Sequence, residues 1–188
     1  IFKKTKGIVA LDFKVQPNGL ISYIETKPNY QKIAYIMNNE YTVIDSFTSD
    51  NYWMDNHEFQ LLPNGNAIFL ARIFRTVDLS YIGGSPVAQV EDYIIQELDE
   101  NKNVVFEWNT KDYFEITDAP HINLTSQKIY YVHANSIDMD SDGSILLSSR
   151  HLDEITKIDR NNGEIIWRLG GLNNQFSFTN EINDSLHV

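Results

Sequence analysis

Three segments of this chain share one pattern, and a recurring pattern limits the possible folds more than composition does. Each segment alternates apolar residues with others, makes a turn that ends in glycine, and resumes an apolar strand. The segments are DFKVQPNGLISYI, HEFQLLPNGNAIFL and NSIDMDSDGSILLS, and their turn glycines are Gly19, Gly65 and Gly143. Such alternation around a glycine turn is typical of a β-hairpin. The sequence therefore predicts three equivalent hairpins.

A second pair of strands follows each hairpin, in IAYIMNNEYTVIDSF, YIIQELDENKNVVFEW and EITKIDRNNGEIIWRL. Trp108 and Trp167 close the last strands of the second and third units at matching places. Four antiparallel strands per repeat are typical of β-propeller blades. We predict an all-β fold, a β-propeller fragment of about three four-stranded antiparallel blades. A β-sandwich is the alternative, but it gives no reason for the glycine and tryptophan positions to recur.

The blades are predicted at about residues 7–50, 51–118 and 131–171 of a single domain that covers residues 1–188. Propellers typically have about four to eight blades, so three cannot close a ring. We expect residues 172–188 to lead into a further blade whose strands lie outside this chain. Because an open array exposes strand edges, we also expect that oligomers could form through the blade edges.

Composition excludes several functions. The chain has 15 Lys and Arg against 26 Asp and Glu, and its net charge of −11 would repel a phosphate backbone, so we expect no nucleic-acid partner. It has no cysteine, and its histidines lack zinc-site spacing, so we expect no metal and no cofactor. No apolar run approaches the ~20 residues of a membrane span. Because the first residue is Ile1, we expect that a leader or other preceding segment has been removed.

Polar side chains are predicted to meet at one end of the third hairpin. A two-residue turn at 141–142 would place His133 opposite Arg150 and Asn135 opposite Ser148, with these side chains on one face of the sheet. Aligning the turn glycines gives the second unit Asp55, His57 and Arg72 at the positions of His133, Asn135 and Arg150. The first unit has Val9, Leu11 and Thr26 there. Since inner strands line a propeller channel, we expect the polar groups to meet near its axis.

An arginine guanidinium can form a bidentate pair of hydrogen bonds with a tetrahedral oxyanion, and imidazole and amide N–H groups can bind its other oxygens. The pattern therefore predicts an anion pocket. The alternatives are that the histidines are structural and that Arg150 pairs with Asp153 or Glu154. The D-x-D-x-D-G sequence of 138–143 resembles a calcium loop, but Ser149 stands where the bidentate Glu is needed, so we interpret it as a turn.

The chain resembles the arylsulfotransferase (ASST) family over roughly residues 35–178. The resemblance lies in DNHEF at 55–59, LPNG at 62–65, HANS at 133–136, SSRH at 148–151, ID at 158–159 and GEIIWRLGG at 163–171. It implies a six-bladed propeller, usually exported, that moves a sulfuryl group from an aryl sulfate to a phenol without a nucleotide donor. It therefore implies an extracytoplasmic location, in the periplasm or at the cell surface, with an aryl sulfate and a phenol as partners.

The resemblance also implies roles for residues. His57, His133 and Arg150 would be catalytic, and Asn135 would bind the sulfate. To these we add Arg72 and Asp55 as substrate-binding residues from the blade alignment. The family's nucleophilic histidine belongs to a Q-H-D-like motif after the F-x-F found here at 176–178.

That Q-H-D-like motif does not occur in the chain, and His187 lacks its context. We expect this chain to hold the sulfate-binding part without the nucleophile and to be inactive alone. A propeller that binds a sulfated or carboxylated ligand or a protein partner without catalysis remains the alternative function, and a structural piece that oligomerises is a third reading.

Overall fold

A computed structural model of the chain describes residues 9–177. Within this range the main elements are β-strands, arranged in three four-stranded antiparallel sheets in chain order. The prediction of an all-β, propeller-like fold with three four-stranded units is confirmed. His187, Phe178 of the F-x-F motif and most of the predicted lead into a further blade lie outside the described residues. The assignment of the whole chain to a single domain stays a prediction.

The first sheet contains β1 (Val9–Val15), β2 (Ile21–Thr26), β3 (Lys32–Met37) and β4 (Val43–Phe47). The second contains β5 (Trp53–Leu61), β6 (Ala67–Val77), β7 (Ala88–Leu98) and β8 (Val104–Asn109), and the short β9 (Lys128–Ile129) pairs in parallel with β7. The third contains β10 (Ala134–Met139), β11 (Ile145–Ser149), β12 (Glu154–Ile158) and β13 (Ile165–Gly170). Short 3-10 helices occupy Ser80–Ile82, Thr110–Asp112, Ile116–Asp118 and Arg150–Leu152.

The first hairpin of every sheet closes with the same turn. In the third sheet the N–H of Asp140 donates to the carbonyl of Ser144 and the N–H of Gly143 donates to the carbonyl of Asp140, each at 2.9 Å. Gly143 has a φ of 84°, which favours glycine, and Gly19 and Gly65 are alike at 81° and 89°. The predicted two-residue turn at Ser141–Asp142 is therefore wrong. Three residues form the turn, because a glycine in the left-handed region completes it with a bulge.

Each inner strand carries a β-bulge near the end opposite this turn. In β10 the extra residue is Asn135, because Ala134 and Ser136 pair with the adjacent residues Ser149 and Ser148. The bulge in β5 is longer: 55–58 separates Met54 from Phe59, while only Leu70 separates their partners Ala71 and Phe69. Arg72 and Arg150 therefore follow their turn glycines at the same distance, as the blade alignment predicted. The predicted equivalence of residues on the inner strands β5 and β10 is wrong, because their bulges differ in length. Trp53, and not Asp55, pairs with Arg72.

The inner strands lie side by side, with β5 in contact with both β1 and β10. One apolar cluster lies between the first and second sheets and includes Phe47, Phe59 and Phe69. A larger cluster lies between the second and third sheets and includes Trp108 and Tyr131. The Trp108 Nε1–H donates to the carbonyl of Gly163 at 2.8 Å, which ties the second sheet to the outer hairpin of the third. Among residues 9–177, no helix has the length and apolar character to cross a membrane.

Candidate active site

Two bulges bring histidines of different sheets together. His57 lies in the long bulge of β5, and His133 lies directly before β10 with a φ of 48°. Their rings meet edge to face with centroids 5.5 Å apart. Bulges commonly re-aim a side chain next to a functional site. Here His57 lies in one bulge, and His133 lies two residues before the bulge residue Asn135 of the other.

A third imidazole extends the pair. The His151 ring lies 4.9 Å from the His133 ring, centroid to centroid. Its Nδ1 contacts the carbonyl of Tyr130, and its backbone N–H donates to the carbonyl of Val132 at 3.0 Å. His151 was not among the predicted site residues, although it is the last residue of the S-S-R-H motif. The three rings are called the histidine cluster below.

Asp55 is buried, with 1% of its surface exposed, and both of its carboxylate oxygens have partners. One oxygen accepts from the His57 ring at Nδ1 and from the His57 backbone N–H at 2.9 Å. The other lies 3.6 Å from Nε of Arg72. Because an ionised carboxylate only accepts, the Nδ1 of His57 carries the proton and its Nε2 is left for other contacts.

Arg72 is held by a second buried acid. Its Nη1 donates to Glu91 at 2.8 Å, and Glu91 is 2% exposed. Asp55 and Glu91 thus neutralise Arg72 from two sides. Glu91 was missed from the sequence, because its pairing with Arg72 depends on the register of β6 and β7.

Arg150 differs from the four other arginines of the chain. Those four pair with buried or half-buried carboxylates: Arg72 with Asp55 and Glu91, Arg75 with Asp92, Arg160 with Glu97, and Arg168 with Glu154 and Asp118. Arg150 is exposed and forms no ion pair within residues 9–177. Asp153, one of the two acids considered as its partner, lies 3.3 Å from His121 instead.

Arg150 and Asn135 both lie at the start of the third sheet, next to His133. The Arg150 N–H donates to the carbonyl of His133 at 3.0 Å, which fixes the two residues side by side. Asn135 is the exposed bulge residue of β10. We had predicted that Asn135 pairs with Ser148. Because of the bulge, Ser136 pairs with Ser148 instead.

Burial lowers the pKa of His133 below its usual 6.5, and burial is the largest cause. The charges of His151, His57 and Arg150 lower the pKa further, while Asp55 opposes them. His133 is therefore neutral near pH 7 and can donate one ring N–H and accept at the other nitrogen.

The first sheet supplies charged groups that the sequence comparison did not find at this end. Lys32, from β3, donates through Nζ to Asn56 at 2.7 Å. Asp12, in the β1 bulge, accepts from the N–H of Phe59 at 3.0 Å and pairs with Lys14, which also contacts Glu58. In the part of the chain that the structure describes, no group of three or more His, Cys, Asp or Glu residues is placed to hold a metal ion.

Three antiparallel four-stranded units with converging inner strands define a propeller-like protein. A family model described as Arylsulfotransferase (ASST) matches residues 19–185, and the chain belongs to that family. No curated protein matched the chain.

Two solved structures are similar to this chain. One is a protein of unknown function from Bacteroides caccae, at 12% identity and a TM-score of 0.40, matched over 90% of this chain and 63% of that one. The other is a catalytically inactive virginiamycin B lyase from Staphylococcus aureus with quinupristin, at 13% identity and a TM-score of 0.46, over 88% of this chain and 42% of that one. The chain spans less than two thirds of either structure, and neither likeness carries an argument about function.

Proposed function

We propose that Arg150, Asn135 and the histidine cluster bind the sulfuryl group of an aryl sulfate, and that the protein transfers this group to a phenol. The observation that carries the proposal is that Arg150 lies beside His133 and has no ion-pair partner among residues 9–177, in a chain with a net charge of −11. Every other arginine is neutralised by acids, so Arg150 is the guanidinium available to an anionic ligand within residues 9–177. Membership of the arylsulfotransferase family supports a sulfuryl group as that anion.

The transfer would proceed in two displacements. A histidine nitrogen attacks sulfur, an N–S bond forms, and the S–O bond to the aryl oxygen breaks. The leaving phenolate takes a proton from a general acid. In the second step a phenol oxygen attacks sulfur, loses its proton to the same group acting as base, and breaks the N–S bond.

His57 suits the proton transfer. Asp55 holds its Nδ1–H, so Nε2 gives and takes the proton at a fixed orientation. Arg150 and the Asn135 amide would contact the sulfuryl oxygens, where charge gathers during transfer, and neutral His133 would donate a further hydrogen bond. We had predicted that Asp55 and Arg72 contact the substrate. In this proposal they position His57 instead, because Asp55 is buried and is paired with Arg72. None of the histidines of this chain is proposed as the attacking imidazole, because the chain lacks the Q-H-D-like motif that carries it in the family.

We further propose an extracytoplasmic location, which is supported by the family resemblance alone. The possibility of contact between blade edges in an oligomer likewise stays a prediction.

The proposal is tested by titrating sulfate and 4-nitrophenyl sulfate into the full chain while the ring resonances of His57 and His133 are followed by NMR. Saturable shifts are expected in the wild type, and Arg150→Ala should remove them while the fold is kept. Lys128→Ala, which removes an exposed cation elsewhere on the second sheet, is the matched control. Rings that stay unshifted in the wild type, or shifts that survive Arg150→Ala, would refute the site.

A further inference from the structure

A cleft between the first and second sheets lies close to the proposed site and takes no part in the reaction described above. Its volume is roughly 340 Å³, near the lower end of the about 300–1,000 Å³ usual for ligand sites. The side chains that matter here are Tyr30, Lys32, Thr48, Ser49, Tyr52 and Trp53. They come from the turn before β3, the segment after β4 and the start of β5.

Two large aromatic side chains of this lining face solvent. Tyr30 is 85% exposed and Trp53 is 58% exposed. Trp53 is nevertheless held in place, because it pairs with Arg72 across the strands and its ring lies 6.3 Å from that of Phe74. A fixed and exposed indole offers a surface on which a flat ring can stack.

Lys32 is the charged residue among the described residues of the lining. One of its three N–H donors goes to Asn56 at 2.7 Å, which leaves two donors. Burial lowers the pKa of Lys32, so its ammonium is poorly solvated and would gain from an anionic partner. The nearby carboxylates of Asp55 and Glu91 are already committed to Arg72.

Three hydroxyl groups of the lining, those of Tyr52, Thr48 and Ser49, have partners of their own. Tyr52 donates its hydroxyl to Glu107 at 2.7 Å, and this bond raises the pKa of Tyr52 to about 12. Thr48 donates to the carbonyl of Lys32 at 3.0 Å, and Ser49 donates to Gln96 at 3.0 Å. Lys32 therefore supplies the cleft's charge preference, which is for an anion.

The cleft and the proposed site are connected through one short segment. Trp53 and Met54 line the cleft, and Asp55 and His57 follow in the same strand. The Lys32–Asn56 hydrogen bond joins the first sheet to the residue between Asp55 and His57. A ligand in the cleft would thus lie against the segment that carries His57.

We propose that this cleft binds the aromatic ring of a phenol that carries a second, acidic substituent, with the ring on Trp53 and the acidic group at Lys32. The choice of a phenol rests on the proposed function. The lining itself selects an aromatic anion. The consequence would be a preference for acidic phenols over neutral phenols.

The test measures binding of 4-hydroxybenzoate and of its neutral counterpart 4-hydroxybenzamide to the full chain by calorimetry. The wild type should bind the acid about tenfold more tightly, because a charged hydrogen-bond partner is lost in the amide. Lys32→Gln should remove that preference and leave the amide unchanged. Trp53→Ala should weaken both ligands by about three- to tenfold, since the stacking surface is gone.

Lys27→Gln and Tyr81→Ala are the matched controls, because they remove a lysine of the turn between β2 and β3 and an aromatic ring that is 72% exposed, both outside the lining. Both should bind like the wild type. Magnetisation transfer from the Trp53 indole protons to the ligand ring in the wild type gives the same answer without any variant. Equal affinity for the acid and the amide, or no contact between Trp53 and the ligand, would refute the proposal that the cleft binds an acidic phenol.

The two proposals fail separately. The sulfate titration reports on the His57 and His133 rings, and the hydroxybenzoate titration reports on Trp53 and Lys32. Loss of the first result with the second intact would refute the sulfuryl site and keep an aromatic-anion cleft. The reverse would leave the sulfuryl site and refute this cleft.

Discussion

The rings of His57 and His133 meet edge to face at 5.5 Å, although one belongs to the second sheet and the other precedes the third. The contact exists because the inner strands of neighbouring sheets lie side by side and each carries a bulge there. His57 is oriented by a carboxylate and His133 is desolvated. The same fold thus places one imidazole on a buried carboxylate and, beside it, a second imidazole whose pKa burial lowers.

Asp55→Asn should disturb the orientation of His57 and cost about 1–3 kcal/mol of unfolding free energy, since Arg72 would lose one of its two acids in a buried place. The amide can also present N–H to Nδ1, so the tautomer of His57 should become mixed. Nitrogen NMR of the ring measures the tautomer, and urea unfolding measures the stability.

Asp45→Asn is the control, because Asp45 forms an exposed pair with Lys102. It should change stability by less than about 0.5 kcal/mol and leave the His57 tautomer alone. An Asp55→Asn protein in which His57 keeps a single Nδ1–H tautomer would show that the Asp55 carboxylate does not determine the tautomer of the ring.

Arg150→Lys should weaken sulfate binding by roughly three- to tenfold, because an ammonium is a point charge that cannot form the two parallel hydrogen bonds of a guanidinium. Sulfate affinity from the histidine ring shifts is the measurement. Arg160→Lys, which alters an arginine already paired with Glu97, should retain wild-type affinity. Equal affinity of the wild type and Arg150→Lys would mean that the guanidinium does not make a bidentate contact.

The hairpin units, the turn glycines and the grouping of His57 with His133 could be predicted from sequence because they depend on local alternation and on recurrence. The register could not. The number of residues in a bulge is set by how neighbouring inner strands pack, and the longer bulge of β5 moved Asp55 away from the position opposite Arg72. His151 and Glu91 were missed for the same reason, since their places follow from contacts between elements.

His133 should make stability depend on pH. Its pKa is lower in the folded protein than the usual 6.5, so its contribution is complete above pH 6.5 and is lost as pH falls through the folded value. The wild type should therefore lose more unfolding free energy than His133→Asn between about pH 7.5 and about pH 5.5. Asp12 and Glu58, whose pKa values burial raises, titrate in both proteins and cancel in the difference.

His121→Asn is the control for this comparison, because His121 is an exposed histidine outside the cluster. The His121→Asn protein should lose as much unfolding free energy over this pH range as the wild type does. The same loss in the wild type and in His133→Asn would contradict the desolvation of His133.

Trp108 and Trp167 occupy equivalent strands of the second and third sheets but differ in their burial and their contacts. Trp108 is 2% exposed, stacks on Tyr113 at 4.6 Å and donates to the carbonyl of Gly163, whereas Trp167 is half-buried against Phe176 at 5.4 Å. Trp108→Phe should cost about 2 kcal/mol or more, because it leaves a buried carbonyl unpaired and removes ring volume. Trp167→Phe should cost less than about 1 kcal/mol, since water can reach the site.

Urea unfolding of both variants, followed by circular dichroism and by the fluorescence of the remaining tryptophans, measures the two costs. Because the Trp108 bond joins the second sheet to the third, its loss should also separate the unfolding of the two sheets, and the two signals should then no longer coincide. Equal costs for the two variants, with coincident transitions in both, would show that the bond between the sheets does not couple them.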